Sequence, residues 1–458
     1  VRDGTGIHTG KVVITSQGMV TEAGKTVSRT VKVVVTINKE NICVWNNVIF
    51  GGVGQAGRSI NGNVVIRGSV HLLGDGEDYT DLDGDGRWSD AEPYSDINHN
   101  GKWDVGEPFI DADGDGHYDV REPFVDANGN GTYDPPLTVT DLAEELSGAA
   151  NIGNNYSGMS TVISTRIPPL QKKPFGGEMV DTLNAKLRVK HGRVDISGSA
   201  TIGDPNVTGN GIKETMDGLY VSDGYGGNKG AASAYGDNGT GNPYDLAEDA
   251  VDLPLIDSGQ YTDQATGITY ANYLEYLQAN GTVVTGDLNI EKGTPLTISG
   301  PKGSLTIDAS GNMTISGIVF VTGNINFGPS KVVIEYSGSG TLVTPKSTYF
   351  HCSILPKTQF PNPDALGIIA GDRVELATGG GDAHLDMALA MYAQHQVEIG
   401  KQCDIAGTVV SSYYSMKNVP KIYQVPALTD NLPPGMPGGD PIWIASVITH
   451  SWQDVKNP

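Results

Sequence analysis

The sequence predicts an all-β chain: a β-helix or solenoid-like scaffold with an N-terminal β-hairpin region and an inserted, helix-poor ladder of loops. Three observations predict it. Val, Ile and Thr dominate short apolar runs, Gly, Asn, Asp and Ser interrupt them every few residues, and only 18% of the 458 residues are charged. Strands of three to five residues with turns this regular fit stacked rungs better than a β-sandwich, which needs longer strands.

The elements follow in order. "KVVITSQG" and "SRTVKVVVTI" flank the polar turn "TEAGK", and Val31, Val33 and Val35 alternate along the second run, so 11–37 reads as a hairpin. "NICVWNNVIFGG" and "GNVVIRGSVHLLGDG" supply further strands. A short helix is expected at "TVTDLAEELSG", with Asp141 as N-cap and Gly148 as stop. From "LRVKHGRVDISGSATIG" onward the rung rhythm sets in, with 294–311 read as rungs like the rest. "NYLEYLQANG" (272–281) is the best helix, with Leu274 and Leu277 on one side. "LDMALAMYAQHQV" is ambiguous in period, but its neighbours make 389–393 a strand. The Pro-rich piece 432–441 excludes helix and central strand and reads as an extended strap, with Trp443 and Trp452 docking it on a neighbouring molecule or on its own solenoid. The chain divides into an N-terminal β region (1–74), tandem loops (75–136), an irregular Gly/Asn-rich β region with short helices (137–284), a β-helix-like region (285–420) and the C-terminal strap (421–458).

Charge is concentrated in one place. The net charge is −23, and residues 75–134 hold 18 acidic side chains against Arg87, Lys102 and Arg121, a local −15. Nucleic acid is excluded as a partner, because phosphate binding needs a basic surface. No apolar run approaches the ~20 residues of a membrane span. The sequence opens on "VRDGTGIHTG", with neither initiator Met nor signal peptide, which is the expectation for a processed or truncated product.

The acidic segment is one pattern written four times at a fifteen-residue period. Positions 1, 3 and 5 are Asp81, Asp83, Asp85; Asp96, Asn98, Asn100; Asp111, Asp113, Asp115; and Asp126, Asn128, Asn130. Position 6 is always Gly and position 8 always aromatic. Position 7 (Arg87, Lys102, His117, Thr132) offers a carbonyl. Position 9 is Ser89, Asp104, Asp119 or Asp134, and position 12 is Glu92, Glu107 or Glu122, with Leu137 in the fourth copy. Alternating oxygens, a turning glycine and a closing glutamate are the ligand pattern of an EF-hand-type calcium loop. A solvated acidic linker needs no fixed glycine, ring or period. Only three residues separate one loop from the next, and a Pro follows each closing Glu, so flanking helices are impossible. The loops therefore run on as a ladder resembling thrombospondin type 3 repeats, with the rings as its apolar spine. Three firm calcium sites and a weaker fourth are expected, since the fourth loop lacks the closing Glu.

The segments "GIVFVTGNINFG", "EYSGSGTLVTP", "LGIIAGDRVEL", "MALAMYAQHQVEIG" and "CDIAGTVVSS" resemble the C-terminal β-helical region of bacterial PilX-type pilus-assembly proteins. "TSQGMVTEAGKTVSRTVKVVVTI" is similar to the hairpin that follows their pilin-like helix, a helix absent from these residues. The resemblance covers 11–75 and 285–435. It implies a structural protein, extracellular or on the bacterial cell surface, whose partners are pilus or filament subunits. The open ends of a solenoid, whose rung edges pair with other chains unless capped, add an expectation of self-assembly.

Two other classes fit part of the pattern. A calcium-dependent adhesin for glycan or protein is the alternative to a pilus role. A calcium-dependent polysaccharide-degrading β-helix needs clustered acids on one face, for which Asp372 with Arg373 and Asp382 with His384 are the candidates. These read as turn residues, no GxSxG or HExxH occurs, and no enzyme is expected. Secretion permits oxidation, and rungs some fifty residues apart stack, so a Cys352–Cys403 disulfide with Cys43 free is expected.

Overall fold

The computed structural model describes residues 2–3, 6–7, 10–22, 25–54, 64–73, 91, 93–110, 118, 120–124, 151–175, 177–190, 194–196, 201–203, 216–221, 225–228, 233–236, 246, 251–416 and 420–455. Its centre is a parallel β-helix with three faces, in a sheet of 23 strands among the described residues. One rung runs through 317–321, Ile325–Gly328 and Val333–Ser337. The next runs through Ser339–Thr344, Thr348–Phe350 and Ser353–Pro356.

Residues that alternate along each short strand point inward and stack on the same position of the next rung. On the first face this makes the column Val319, Leu342, Ile368, Met391, Val409, Ile49, Val70, Leu187, Leu219. On the second it is Ile290, Phe327, Phe350, Leu376, Ile399, Met416, with Phe327 and Phe350 stacked at 4.6 Å. On the third it is Ile334, Ile354, Met387, Ile405, Ile422, Ile66, Ile152, Ile202. All of these side chains are buried, and each contributes about 1.5–3 kcal/mol of burial.

The stacking does not follow chain order. Cys403–Met416 and Lys421–Tyr423 continue into Ile49–Gly54 and Val65–Arg67, so the first strands of the scaffold are the rung after the last. From there the helix proceeds through Val70–Leu72 with Asn151–Gly153, then Leu187–Val189 with Thr201–Ile202, then Leu219–Val221 with Ser233–Ala234. The sheet thus crosses the divisions at 74, 137, 284 and 420. Polar groups at the crossing are satisfied across the chain's two ends. Thr408 Oγ1 donates to the Asn47 carbonyl (2.6 Å), Ser69 N donates to Gln424 Oε1 (2.8 Å), and Gln424 N to the Arg67 carbonyl (2.7 Å).

The hairpin forms as the alternation predicts, Gly10–Glu22 antiparallel to Lys25–Asn41. A third strand, Trp443–Val455, pairs with Lys25–Asn41 over nearly its whole length. Glu40 anchors this sheet to the solenoid through Lys186 and Arg188. The strap docks on its own solenoid: Trp45 Nε1 donates to the Pro437 carbonyl (2.7 Å), and Thr341 Oγ1 to that of Pro434 (2.6 Å). Trp443 is half-exposed at the start of the third strand.

The helix in 272–281 spans Tyr273–Ala279, with Asn272 Oδ1 accepting from Glu275 N, and Leu277 is buried. The ambiguous segment is a strand, within Leu385–Ile399. The helix expected near Asp141 lies outside the described residues. One stretch departs from the rung reading: Gly303–Ile307 runs antiparallel to both of its neighbours, Leu296–Ser299 and Asn312–Val321. Their connections, "GPK" and "DASG", are too short for a parallel crossover.

The Cys352–Cys403 disulfide is a correction. All three cysteines are free and buried. Ile354 opposes Met387, and Leu385 opposes Cys403, so Leu385 stands between the two cysteines in one column. Two rung steps are about 9.5 Å, beyond the ~7 Å a bridge tolerates. Burial also pushes the Cys352 and Cys403 thiols up to about 12, which suppresses the reactive thiolate. Thiol titration without reductant should find three thiols on unfolding. A single one would restore the disulfide.

His71 gives a second test. It is fully buried opposite Phe50 and Arg188, and neither ring nitrogen has a hydrogen-bond partner among the described residues. Burial, then the charges of Arg188 and Lys190, lower its pKa to about 3. The folded state therefore holds neutral imidazole. Its contribution is intact above the unfolded value of ~6.5 and is lost as pH falls from there toward 3, by up to ~1.4 kcal/mol per pH unit. Unfolding of the wild type and of His71→Phe, compared between pH 7 and 5, should show the wild type losing stability faster. Parallel profiles would remove His71 from this role.

Candidate functional site

The ladder leaves the solenoid after Val70–Leu72 and returns at Asn151–Gly153, which pairs with Val65–Arg67. Of the expected ligands, Asp96, Asn98, Asn100, Lys102, Asp104, Glu107 and Glu122 are described. Asp81, Asp83, Asp85, Arg87, Ser89, Glu92, Asp111, Asp113, Asp115, His117, Asp119, Asp126, Asn128, Asn130, Thr132 and Asp134 lie outside the described residues.

Loop two is therefore seen whole, and it closes on its acidic side chains. Asp96 accepts from Asn100 N (Oδ1, 3.1 Å) and Gly101 N (Oδ2, 2.8 Å). Gly101 sits at φ +76°, the left-handed conformation that position 6 demands. Asn98 Nδ2 and Asn100 Nδ2 both donate to Asp104 Oδ2, at 2.6 and 2.7 Å. Glu107 reaches back from position 12: its Oε1 accepts from Ile97 N (2.8 Å) and its Oε2 from Asp104 N (3.0 Å). Positions 1, 3, 5, 9 and 12 thus lie within one hydrogen-bonded network, and Glu107 is buried in it. Glu122, the closing residue of loop three, is buried as well.

The rings form a spine between successive loops. Trp103 stacks on Tyr118 at 4.6 Å, one turn of the repeat further on. Tyr94 and Phe109, which follow the prolines, meet Tyr118 edge-on at 5.6 and 5.8 Å. Tyr94 and Phe109 are also bridged through their backbones, with Ser95 N donating to the Pro108 carbonyl. A ladder this polar has no other apolar interior among the described residues, so ring stacking sets its loop-to-loop spacing.

Of the two candidate catalytic pairs, Asp372 and Arg373 stay together, while Asp382 and His384 take different partners. Asp372 is half-exposed, accepts from Ser347 Oγ (2.9 Å) and lies 3.5 Å from Arg373 Nε. Asp382 closes the turn 379–382 and accepts from Ser330 Oγ (2.6 Å), Gly379 N (2.7 Å) and the His351 ring (2.9 Å). Burial pushes its carboxyl up, but those hydrogen bonds outweigh burial and hold it below its ordinary value. His384 turns instead to Asp386 (3.3 Å) and Asp404 (4.0 Å). Sequence reading missed that grouping, although His384 stands just before Leu385–Ile399 and two residues from Asp386.

No protein-family model matches the chain, and no curated protein matches it. Among solved structures its fold is similar to that of the competence-associated pilin ComZ from Thermus thermophilus, with a TM-score of 0.52. The alignment covers 99% of this chain and 86% of that one at 16% identity, so the likeness is one of fold.

Proposed function

We propose that the chain is an extracellular structural protein of a bacterial pilus or surface filament, without catalytic activity, whose ladder is held together by calcium. The observation that carries the calcium reading is the closure of loop two. Asp96, Asn98, Asn100, Asp104, Glu107 and the Lys102 carbonyl offer the all-oxygen set that a hard cation with six to eight ligands takes. Magnesium suits the set less well, because it keeps its waters. The pilin-like fold over nearly the whole chain supports the pilus reading. Calcium, abundant outside the cell, would neutralise carboxylates that otherwise repel by roughly 4 kcal/mol per pair at ~4 Å and an effective dielectric near 20.

A specific feature favours the adhesin alternative. Tyr261, Tyr270, Tyr273 and Tyr276 gather half-buried rings 4.7–5.5 Å apart, the kind of surface on which sugars stack. Glycan-array binding by the isolated monomer would favour it. Labelling of purified pili with antibody to 285–420 would favour the pilus reading, and unlabelled pili would sink it.

Calorimetry joined to limited proteolysis tests the ladder. Three calcium ions should bind firmly and a fourth more weakly, at about 10⁻⁴–10⁻³ M for extracellular modules. Chelation should open 75–136 to protease while the solenoid resists. Absent calcium uptake, or a ladder that resists protease in excess chelator, overturns the reading. Loop three carries five acidic ligands against two in loop four, so Asp115→Ala should weaken uptake more than Asn130→Ala. The reverse order would show that ligand charge does not set the ranking.

A further inference from the structure

A second cluster lies on the solenoid itself, away from the ladder. Asp386 and Asp404 are the second residues of Leu385–Ile399 and Cys403–Met416, and the register sets them directly opposite each other, with Lys421 on the following rung. Their neighbours Leu385, Met387, Cys403 and Ile405 fill the interior, so the two carboxylates share the outer face. Like charges directly opposite are unfavourable in a sheet. His384 approaches both: its Nε2 is 3.3 Å from Asp386 Oδ1 and 4.0 Å from Asp404 Oδ1, and the three ligand atoms lie within 4.8 Å of one another.

An independent observation points to a ligand. The Asp404 side chain is only 3% exposed, and its Oδ1, the oxygen facing His384, has no hydrogen-bond partner among the described residues. Its other oxygen faces Lys421 Nζ at 3.9 Å. A carboxylate oxygen taken out of water without a donor is costly, and most such groups find a partner. Burial accordingly raises the Asp404 pKa despite the nearby Lys421 and His384.

We infer that His384, Asp386 and Asp404 form a binding site for a divalent transition-metal ion of the zinc class. One imidazole nitrogen and two carboxylate oxygens suit zinc and its first-row neighbours, whereas calcium takes oxygen alone and more of it. Metal bonds of 2.0–2.1 Å in a tetrahedron set ligand atoms about 3.3 Å apart. His384 and Asp386 already stand at that separation, and Asp404 Oδ1 has to close on them from 4.0 Å at His384 and from within 4.8 Å at Asp386. Ser160 Oγ donates to Asp386 Oδ1 (3.2 Å), and Asp386 N donates to Ser353 Oγ (3.0 Å), so the ligand is oriented from outside the site. His384 is 37% exposed, which leaves an entry path and a fourth position for water. The ion would cross-link two adjacent rungs.

The test uses the full chain in excess calcium, titrated with cobalt(II) and read by visible absorption, for wild type, His384→Gln and Asp404→Asn. His384 is surface-accessible and Asp404→Asn keeps the shape, and circular dichroism of the same samples reports folding. Wild type should take up one equivalent of cobalt with the absorption of a tetrahedral site, released by zinc. Each variant should bind at least about tenfold more weakly. No cobalt uptake by the wild type, or uptake that both folded variants retain undiminished, overturns the site.

Discussion

The register between Cys403–Met416 and Ile49–Gly54 is the constraint on which the rest of the molecule depends. A rung cannot bury its apolar side alone, so every rung from Ile49 to Ala234 needs the one laid down by the far end of the chain. The partners are 361 residues apart at the Thr408–Asn47 bond. Closing such a loop costs roughly 5 kcal/mol in chain entropy, because the cost rises only with the logarithm of length. Four buried aliphatics at the crossing, Ile49, Val409, Ile66 and Ile422, offset that at about 1.5–3 kcal/mol each. The order of stacking is thus thermodynamically cheap, although so non-local a contact makes folding slow.

Apolar columns alone would tolerate slippage along the rung axis, and the polar groups at the crossing remove that freedom. Gln424 is buried and reads both of its neighbours, accepting from Ser69 N and donating through Nε2 to Asn46 Oδ1 (3.3 Å). Tyr414 Oη lies 2.5 Å from the Phe50 carbonyl. A shift by one residue would turn every inward Ile outward and leave these groups without partners, so the penalty for error is far larger than the net gain of any one bond. Gly407 shows the same tightness on the other side: at φ +138°, a Cβ there would stand 2.0 Å from the Leu389 carbonyl oxygen.

What was legible in the sequence follows from the range of each interaction. Alternation exposed the hairpin, the rhythm of neighbouring rungs placed a strand at 389–393, and local helix signals placed Tyr273–Ala279. The fifteen-residue period picked out loop two, whose turning glycine and back-reaching Glu107 are local features. Pairings made at a distance left no such trace. Nothing near Trp443 indicates that it begins a strand on the hairpin, and nothing near Cys352 indicates that Leu385 stands between it and Cys403. His384 was read with Asp382, its neighbour in sequence, because Asp404 comes beside it only through the register of two rungs.

The place of the ladder explains how two incompatible chemistries share one chain. The solenoid depends on dry columns, in which an unpaired carboxylate is costly, while the ladder concentrates charge at −15 over sixty residues. The excursion begins after Val70–Leu72 on the first face and ends at Asn151–Gly153 on the third, both in one rung. Each of those strands keeps its own partners, Ile49–Gly54 and Leu187–Val189 for the one, Val65–Arg67 and Thr201–Ile202 for the other. The rung is therefore closed by its neighbours above and below, not by the segment that joins its two strands. Closure entropy grows so slowly with length that a long acidic insertion there burdens the scaffold little more than a short turn would. Among the described residues the ladder is held by contacts of its own, the Trp103–Tyr118 stack and the closure of loop two by Glu107.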